Sequence, residues 1–193
     1  MNLQSTLGLV YRRWGRARWD GSAQRVLQAA RATMMRKRYC VIATYASEGI
    51  HARVVQPYPP RSDFSVLLGT SRSSRKVEEI ESDPRTSLIY QDDARAACVT
   101  LVGRAEVLGK RKAEAKKFMP SWTAFWPRGP DDPDFVNVLF VPHAIEVWDG
   151  LRGITPEPFG LVSARLERCD DQWTLQPSHE GSAHLETSLA GSE

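Results

Sequence analysis

The spacing of apolar positions along the chain changes several times, and each change marks an element. In residues 22–37, Val26, Leu27, Ala30, Thr33 and Met34 recur at helical spacing, with Ser22 placed to cap and arginines on the other face, so a helix is predicted. The period then falls to two. Residues 39–45 are rich in β-formers, Ser47-Glu48-Gly49 reads as a turn, and residues 50–56 resume an extended pattern, which predicts a hairpin. Pro57, Pro59 and Pro60 interrupt it before a third strand, residues 64–68, ending at Gly69. Val77 and Ile80 give the next short helix a small apolar face, and Asp83-Pro84 stops it ahead of a strand over 86–90.

Residues 91–95 turn the chain into a long extended run, 98–108, where Gly103 offers the bulge that a strand needs to curl around a barrel. A charged helix is predicted over 111–118, then a proline- and tryptophan-dense loop, MPSWTAFWPRGPDDPD, and two more strands over 136–141 and 144–148. Residues 161–166 and 173–175 can form a further hairpin, and the small, polar tail HEGSAHLETSLAGSE is expected to be disordered. About six strands with three helices that do not alternate with them point to a mainly β, α+β protein: an antiparallel barrel or sandwich with peripheral helices, and not a doubly wound parallel sheet.

Composition narrows this little. At 193 residues, 41% hydrophobic and 25% charged, the chain suits one globular core, with either an enzyme or a binding module allowed. The net charge of +3 is too small to argue for nucleic acid. Four arginines, Arg12, Arg13, Arg16 and Arg18, stand among Tyr11, Trp14 and Trp19. Such a stretch can touch RNA or an anionic membrane, but more often packs on its own domain or a neighbouring subunit. No window has the run of apolar residues of a membrane span or a signal peptide, so a cytoplasmic protein is expected. Cys40, Cys98 and Cys169 show no disulfide or zinc spacing, and the four histidines no metal-ligand spacing, so no metal is expected.

The chemistry concentrates in GTSRSSRKVEEIESDP, residues 69–84. A helix N-terminus carries partial positive charge and unpaired N–H groups, so acids belong in its first turn. Here Arg72, Arg75 and Lys76 come first, and Glu78, Glu79 and Glu81 follow. A bound phosphate explains that order, because it meets backbone donors, hydroxyls and cations together. A solvated loop whose arginines pair with the helix's own acids explains it equally well. Arg53, a charge within a β-forming run, adds weight to an anion held between strands. Walker, GxGxxG and G-x-S-x-G motifs are absent.

The ordered set GIHARVVQP, FSVLLGTSRSSRKVEEIESDPRTSLIY, VTLVGRAEVL and AIEVWDG, over about residues 24–150, resembles the FMN-binding split barrel of the pyridoxamine 5′-phosphate oxidase superfamily. The SWTAFWPRGPDDPDF loop is most similar to the general stress protein branch. The resemblance implies an antiparallel six-stranded split β-barrel with peripheral helices. It frames residues 22–150 as the FMN-binding domain, with 1–21 a basic, aromatic extension, 151–178 a C-terminal extension and 179–193 the tail. It further implies that Arg53, Gly69, Thr70, Ser74, Arg75 and Lys76 hold the FMN phosphate region and that Val54, Val55 and Gln56 line the ring. Trp148 would then approach the flavin from the second subunit of a homodimer, with Trp122 and Trp126 as further aromatic candidates that equally suit interface packing. Arg72 does not match the pattern. Where true pyridoxal phosphate-forming oxidases continue into an R-L-H-D-R segment, this chain reads DGLRGITPEPFG, and a flavin-holding glutamine falls near Cys98. The function implied is a flavin-dependent oxidoreductase, with a nicotinamide as possible reductant and no single catalytic residue assigned. The alternatives are a flavin-binding stress or sensor protein without efficient turnover, or a relative binding the deazaflavin F420. Haem is disfavoured for want of an axial ligand.

Overall fold

The structure is a computed structural model that describes residues 3–109, 116–157, 160–170 and 172–177. Two helices, α1 (Leu3–Arg18) and α2 (Ala23–Arg36), lead into β1 (Cys40–Ala46), β2 (Gly49–Val55) and β3 (Val66–Ser71). Helix α3 (Arg75–Ser82) follows, then β4 (Arg85–Asp92), β5 (Ala97–Val107), β6 (Phe135–Asp149), β7 (Ala164–Cys169) and β8 (Gln172–Leu175). The strands pair antiparallel in the order β2-β1-β4-β5-β6-β7-β8, with β3 attached to β6.

Strand β6 is where the sheet divides. Its first half pairs with β3, from Ser71↔Phe135 to Val66↔Phe140, and its second half with β7, from Ala144↔Glu167 to Val147↔Ala164, while β5 runs along the opposite edge. On the far side, an isolated Pro57↔Leu68 bridge and a Tyr58 N–Leu67 O bond of 2.8 Å join the chain after β2 to β3. The wall β2-β1-β4-β5-β6-β3 therefore curls into a barrel without a closing ladder, which is a split barrel.

The main difference from the sequence reading has a physical cause. The strands expected over 136–141 and 144–148 are one continuous strand, because a bulge absorbs Pro142: register passes from Val102↔Ala144 to Gly103↔Pro142 and leaves His143 as the extra residue. Gly103 is required there, since a Cβ would lie 2.2 Å from the carbonyl oxygen of Val141. Residues 3–18, read only as an extension, form a helix. The charged helix expected over 111–118 and the tail expected over 179–193 fall largely or wholly outside the described residues.

The core lies on one face of the sheet. Ile42, Leu88, Tyr90, Val99, Leu101, Ile145 and Val147 are fully buried beneath Val26, Ala30 and Met34 of α2 and Ile80 of α3. Helix α2 starts where the pattern placed it, with Ser22 Oγ accepting from Arg25 N at 3.4 Å. The alternate residues of β1, β2, β4 and β5 face outward. There Tyr45, Ile50 and Val54 are exposed, and Val41, Ile89, Cys98, Val102 and, on β6, Trp148 are half-buried.

Candidate functional site

The loop between β3 and α3 is built as a tight turn tied to the loop that enters β6. Ser74 is the N-cap of α3, yet its hydroxyl does not cap; it donates to Ser71 O at 2.7 Å. Asp134 clamps the turn: it accepts from the Ser71 hydroxyl and, at 3.0 Å, from Ser73 N, while its carbonyl takes Arg72 N. The Ser71 hydroxyl first, then the Ser73 amide, hold the Asp134 carboxyl below its usual range. With Ser74 O committed to Val77 N at 2.9 Å, the amides of Arg75 and Lys76 have no partner among the described residues.

Behind that turn sits a charged cluster. Residues two apart on a strand share a face, so His51 and Arg53 of β2 both face α3. The carboxylate of Glu79, on α3 and only 8% exposed, receives them: Arg53 Nη2 and Thr44 Oγ1 donate to it, and His51 Nδ1 lies 2.7 Å from it. Arg53 Nη1 also donates to Thr44 Oγ1 and, at 3.0 Å, to His51 O. Burial pushes the Glu79 carboxyl up, but the bonds from His51, Thr44 and Arg53 outweigh it and hold its pKa at about 2. Lys76 Nζ donates to the buried Thr70 Oγ1 at 2.9 Å. Burial and then the nearby Arg53 charge lower the Lys76 pKa, with Glu79 opposing.

Arg53, Thr70, Ser74, Arg75 and Lys76 are thus brought to one place, at the start of α3. Arg75 is exposed at the rim, near Glu48, which its own backbone, Ser47 and His51 hold below its usual value, with Arg75 adding to the effect. Arg72 pairs outward with Glu81 at 3.0 Å, both side chains about half exposed. A phosphate group fits the arrangement: two unpaired amides, a lysine with one of three donors used, and an exposed arginine converge, with Arg53 tied to Glu79 behind them.

The other candidates are placed differently. Val54 points outward, 67% exposed, while Val55 packs against the core, so their side chains lie on opposite faces of β2. Gln56 and Gly69 are both covered by Trp122: the indole Nε1 donates to Gln56 Oε1 at 3.3 Å, and a Cβ on Gly69 would lie 2.0 Å from the ring. Trp122 is buried among Tyr58, Phe118 and Phe135, with Trp126 set edge-on at 6.1 Å. Trp148 lies far along β6 from Val136, the partner of Thr70, a strand path of about 40 Å at ~3.3 Å per residue. Its Nε1 donates to Gly160 O at 3.2 Å. Cys98 is half-buried and burial pushes its thiol up, as expected of a structural residue.

Sequence reasoning missed Glu79, Thr44, His51 and Asp134. A signal for two of them was available, since His51 and Arg53 at i, i+2 make one face of β2 polar opposite a helix. Nothing local distinguishes buried Glu79 from exposed Glu78. Among the described residues no group of histidines, cysteines and acids can hold a metal, and no helix is long and apolar enough to cross a membrane.

The fold is shared with known structures. A protein from Clostridium acetobutylicum related to general stress protein 26 of Bacillus subtilis superposes with a TM-score of 0.61 at 21% identity, covering 67% of this chain and 92% of that one. General stress protein 26 from Bacillus anthracis gives 0.53 at 19% identity, over 64% and 91% of the two chains. A pyridoxamine 5′-phosphate oxidase-related, FMN-binding protein from Nostoc punctiforme gives 0.57 at 16%, over 82% and 95%. No curated protein sequence matches significantly. The sequence profile described as pyridoxamine 5′-phosphate oxidase like matches residues 27–168, which takes in every strand from β1 to β6 and the whole cationic turn, and the chain therefore belongs to the pyridoxamine 5′-phosphate oxidase-like family.

Proposed function

We propose that the protein binds FMN at the β3–α3 turn and works as a flavin-dependent oxidoreductase of the general stress protein type. The observation that carries this reading is the pair of unpaired amides of Arg75 and Lys76 beside the Lys76–Thr70 and Arg53 donors. Thr70 orients Lys76, Glu79 orients Arg53, and the two cations with Arg75 supply the charge that a phosphate monoester needs. When bound, the isoalloxazine would supply the redox chemistry, so no side chain need be an acid or base for electron transfer. Val54 faces the open side of the sheet, where a ring held at this phosphate could lie.

The site is completed, in this reading, by a homodimer. The outward face of the sheet carries Tyr45, Ile50 and Val54 exposed, and Trp148 stands on that face at the end of β6 away from Val136, the partner of Thr70. A two-fold dimer through that face brings Trp148 of one copy to the turn of the other. Formation of pyridoxal phosphate is not part of the proposal. In DGLRGITPEPFG the single arginine, Arg152, is paired with buried Asp149 at 2.7 Å.

The test begins with the absorption spectrum of the purified protein and titration of the apoprotein with FMN. Binding should weaken at least about tenfold in Arg75→Ala/Lys76→Ala with the fold retained by circular dichroism, as loss of charge-assisted bonds worth ~1.5–3 kcal/mol each requires. Unchanged affinity in that variant would overturn the site assignment. Reduction of the bound flavin by NADH or NADPH separates an oxidoreductase from a flavin-binding sensor, and a preparation that takes up F420 in preference to FMN replaces the cofactor.

A further inference from the structure

Helix α1 carries an apolar stripe that the described residues cover only in part. The spacing of Leu7, Val10, Tyr11 and Trp14 puts them on one face, and Arg12 and Arg16 on the opposite face. Trp14 is half-buried and Gly15 buried, and Tyr11 lies beside Gly160, so the C-terminal half of the stripe rests on the segment after β6. Arg16 anchors that half to Glu157 at 2.9 Å. The same stripe then runs past the edge of the body: Leu7 is 62% and Val10 61% exposed. A helix of this length is marginal in water without a packed face, so the overhang calls for a second surface.

We propose that this surface is the β1–β2 hairpin of a second copy of the chain, so that α1 of each protomer clasps the other beside its cationic turn. The inference rests on the homodimer reading above. A side chain on Gly160 would meet Tyr11, and Gly160 O accepts from Trp148 Nε1, so α1 lies beside the Trp148 end of the open sheet face. The dimer that brings Trp148 to its partner's turn brings α1 to the same neighbourhood. What α1 meets there is complementary to it. The exposed Ile50 and Tyr45, the latter with Arg85 over its ring at 4.5 Å, offer an apolar surface next to a cleft of about 290 Å³ in which Glu48, Glu78 and Glu79 outnumber Arg75. Arg13, on the flank of the stripe, would face those acids in the dimer, and α1 itself contains no acidic residue. An anionic lipid surface fits less well, because Arg12 lies on the far side of the helix from the apolar stripe, Arg16 is paired with Glu157 and Arg18 lies over the Trp14 ring, which leaves Arg13 alone on its flank.

The full chain tests this. Sedimentation equilibrium should give a dimer whose Kd rises at least about tenfold in Leu7→Glu/Val10→Glu, with circular dichroism confirming a folded barrel. In mixed ¹⁴N/¹⁵N samples of Arg13→Lys, zero-length carbodiimide coupling should join the introduced amine to Glu48 or Glu78 of the other isotope. A dimer with unchanged Kd in Leu7→Glu/Val10→Glu, or coupling confined to single chains, overturns the clasp and leaves the homodimer standing. A wild type that stays monomeric at micromolar concentration overturns both. Cosedimentation of the wild type, but not of Leu7→Glu/Val10→Glu, with phosphatidylglycerol vesicles at unchanged dimer Kd overturns the clasp in favour of a lipid surface.

Discussion

The two faces of the sheet carry similar residues and meet opposite fates. On the inner face Ile42, Leu88, Val99 and Leu101 have no exposed surface, because α2 and α3 lie over them. On the outer face Ile50 and Val54, from the same hairpin, are 62% and 67% exposed. β-forming residues are therefore not read by type but by what the topology lays against them. The cations divide in the same way. Arg53 and Lys76 are wired inward to Glu79, Thr44 and Thr70, whereas the Arg72 side chain pairs outward with Glu81. Inward wiring fixes a donor in place, and outward pairing contributes little.

The sharpest way to break the contrast between faces is Leu101→Ala, which should cost about 2–5 kcal/mol in urea unfolding through the cavity it leaves. A loss below about 1 kcal/mol would mean that the inner face is not the core. Glu79→Ala comes next, at about 2 kcal/mol, below the roughly 3–5 kcal/mol of a fully enclosed pair because Arg53 keeps 22% of its side chain exposed. Glu79→Gln tests the charge through pH. The native carboxyl sits at about 2, below its ordinary 4.5, so its contribution is complete above about pH 4.5 and disappears as the pH falls toward 2. The stability gap between wild type and Glu79→Gln should accordingly narrow as the pH falls from about 4.5 toward 2; a gap that ignores pH over that window would mean that the carboxylate's charge is not what holds Arg53. The smallest effect belongs to the outer face. Ile50→Ser should change unfolding of an isolated chain by no more than about 0.5 kcal/mol, so a larger, concentration-dependent loss reports a covered face.

Much of this was legible beforehand, and for local reasons. Ser22 as a cap, Asp83-Pro84 as a stop and Gly103 as a bulge are each dictated by backbone chemistry within a few residues. The cationic turn could be found because three cations ahead of a helix violate its dipole. The merging of two expected strands into β6 could not be read, since whether Pro142 breaks a strand depends on the partner strand that absorbs the bulge. Burial of Glu79 was equally invisible: Glu78 and Glu79 are the same residue type in adjacent positions, and only the approach of β1 and β2 to α3 puts one of them inside.

By itself the sequence determined helices α2 and α3, most of the strands around them, the turn where charge gathers, and the family pattern that those pieces compose. Periodicity and helix-end electrostatics are short-range and can be read along a chain. The tertiary structure alone decided which cations are held by internal partners, that Trp122 rather than open space lies over Gly69, and that Trp148 and the cationic turn stand at opposite ends of β6. Those are long-range outcomes, set when a sheet curls and brings together residues that no local pattern connects.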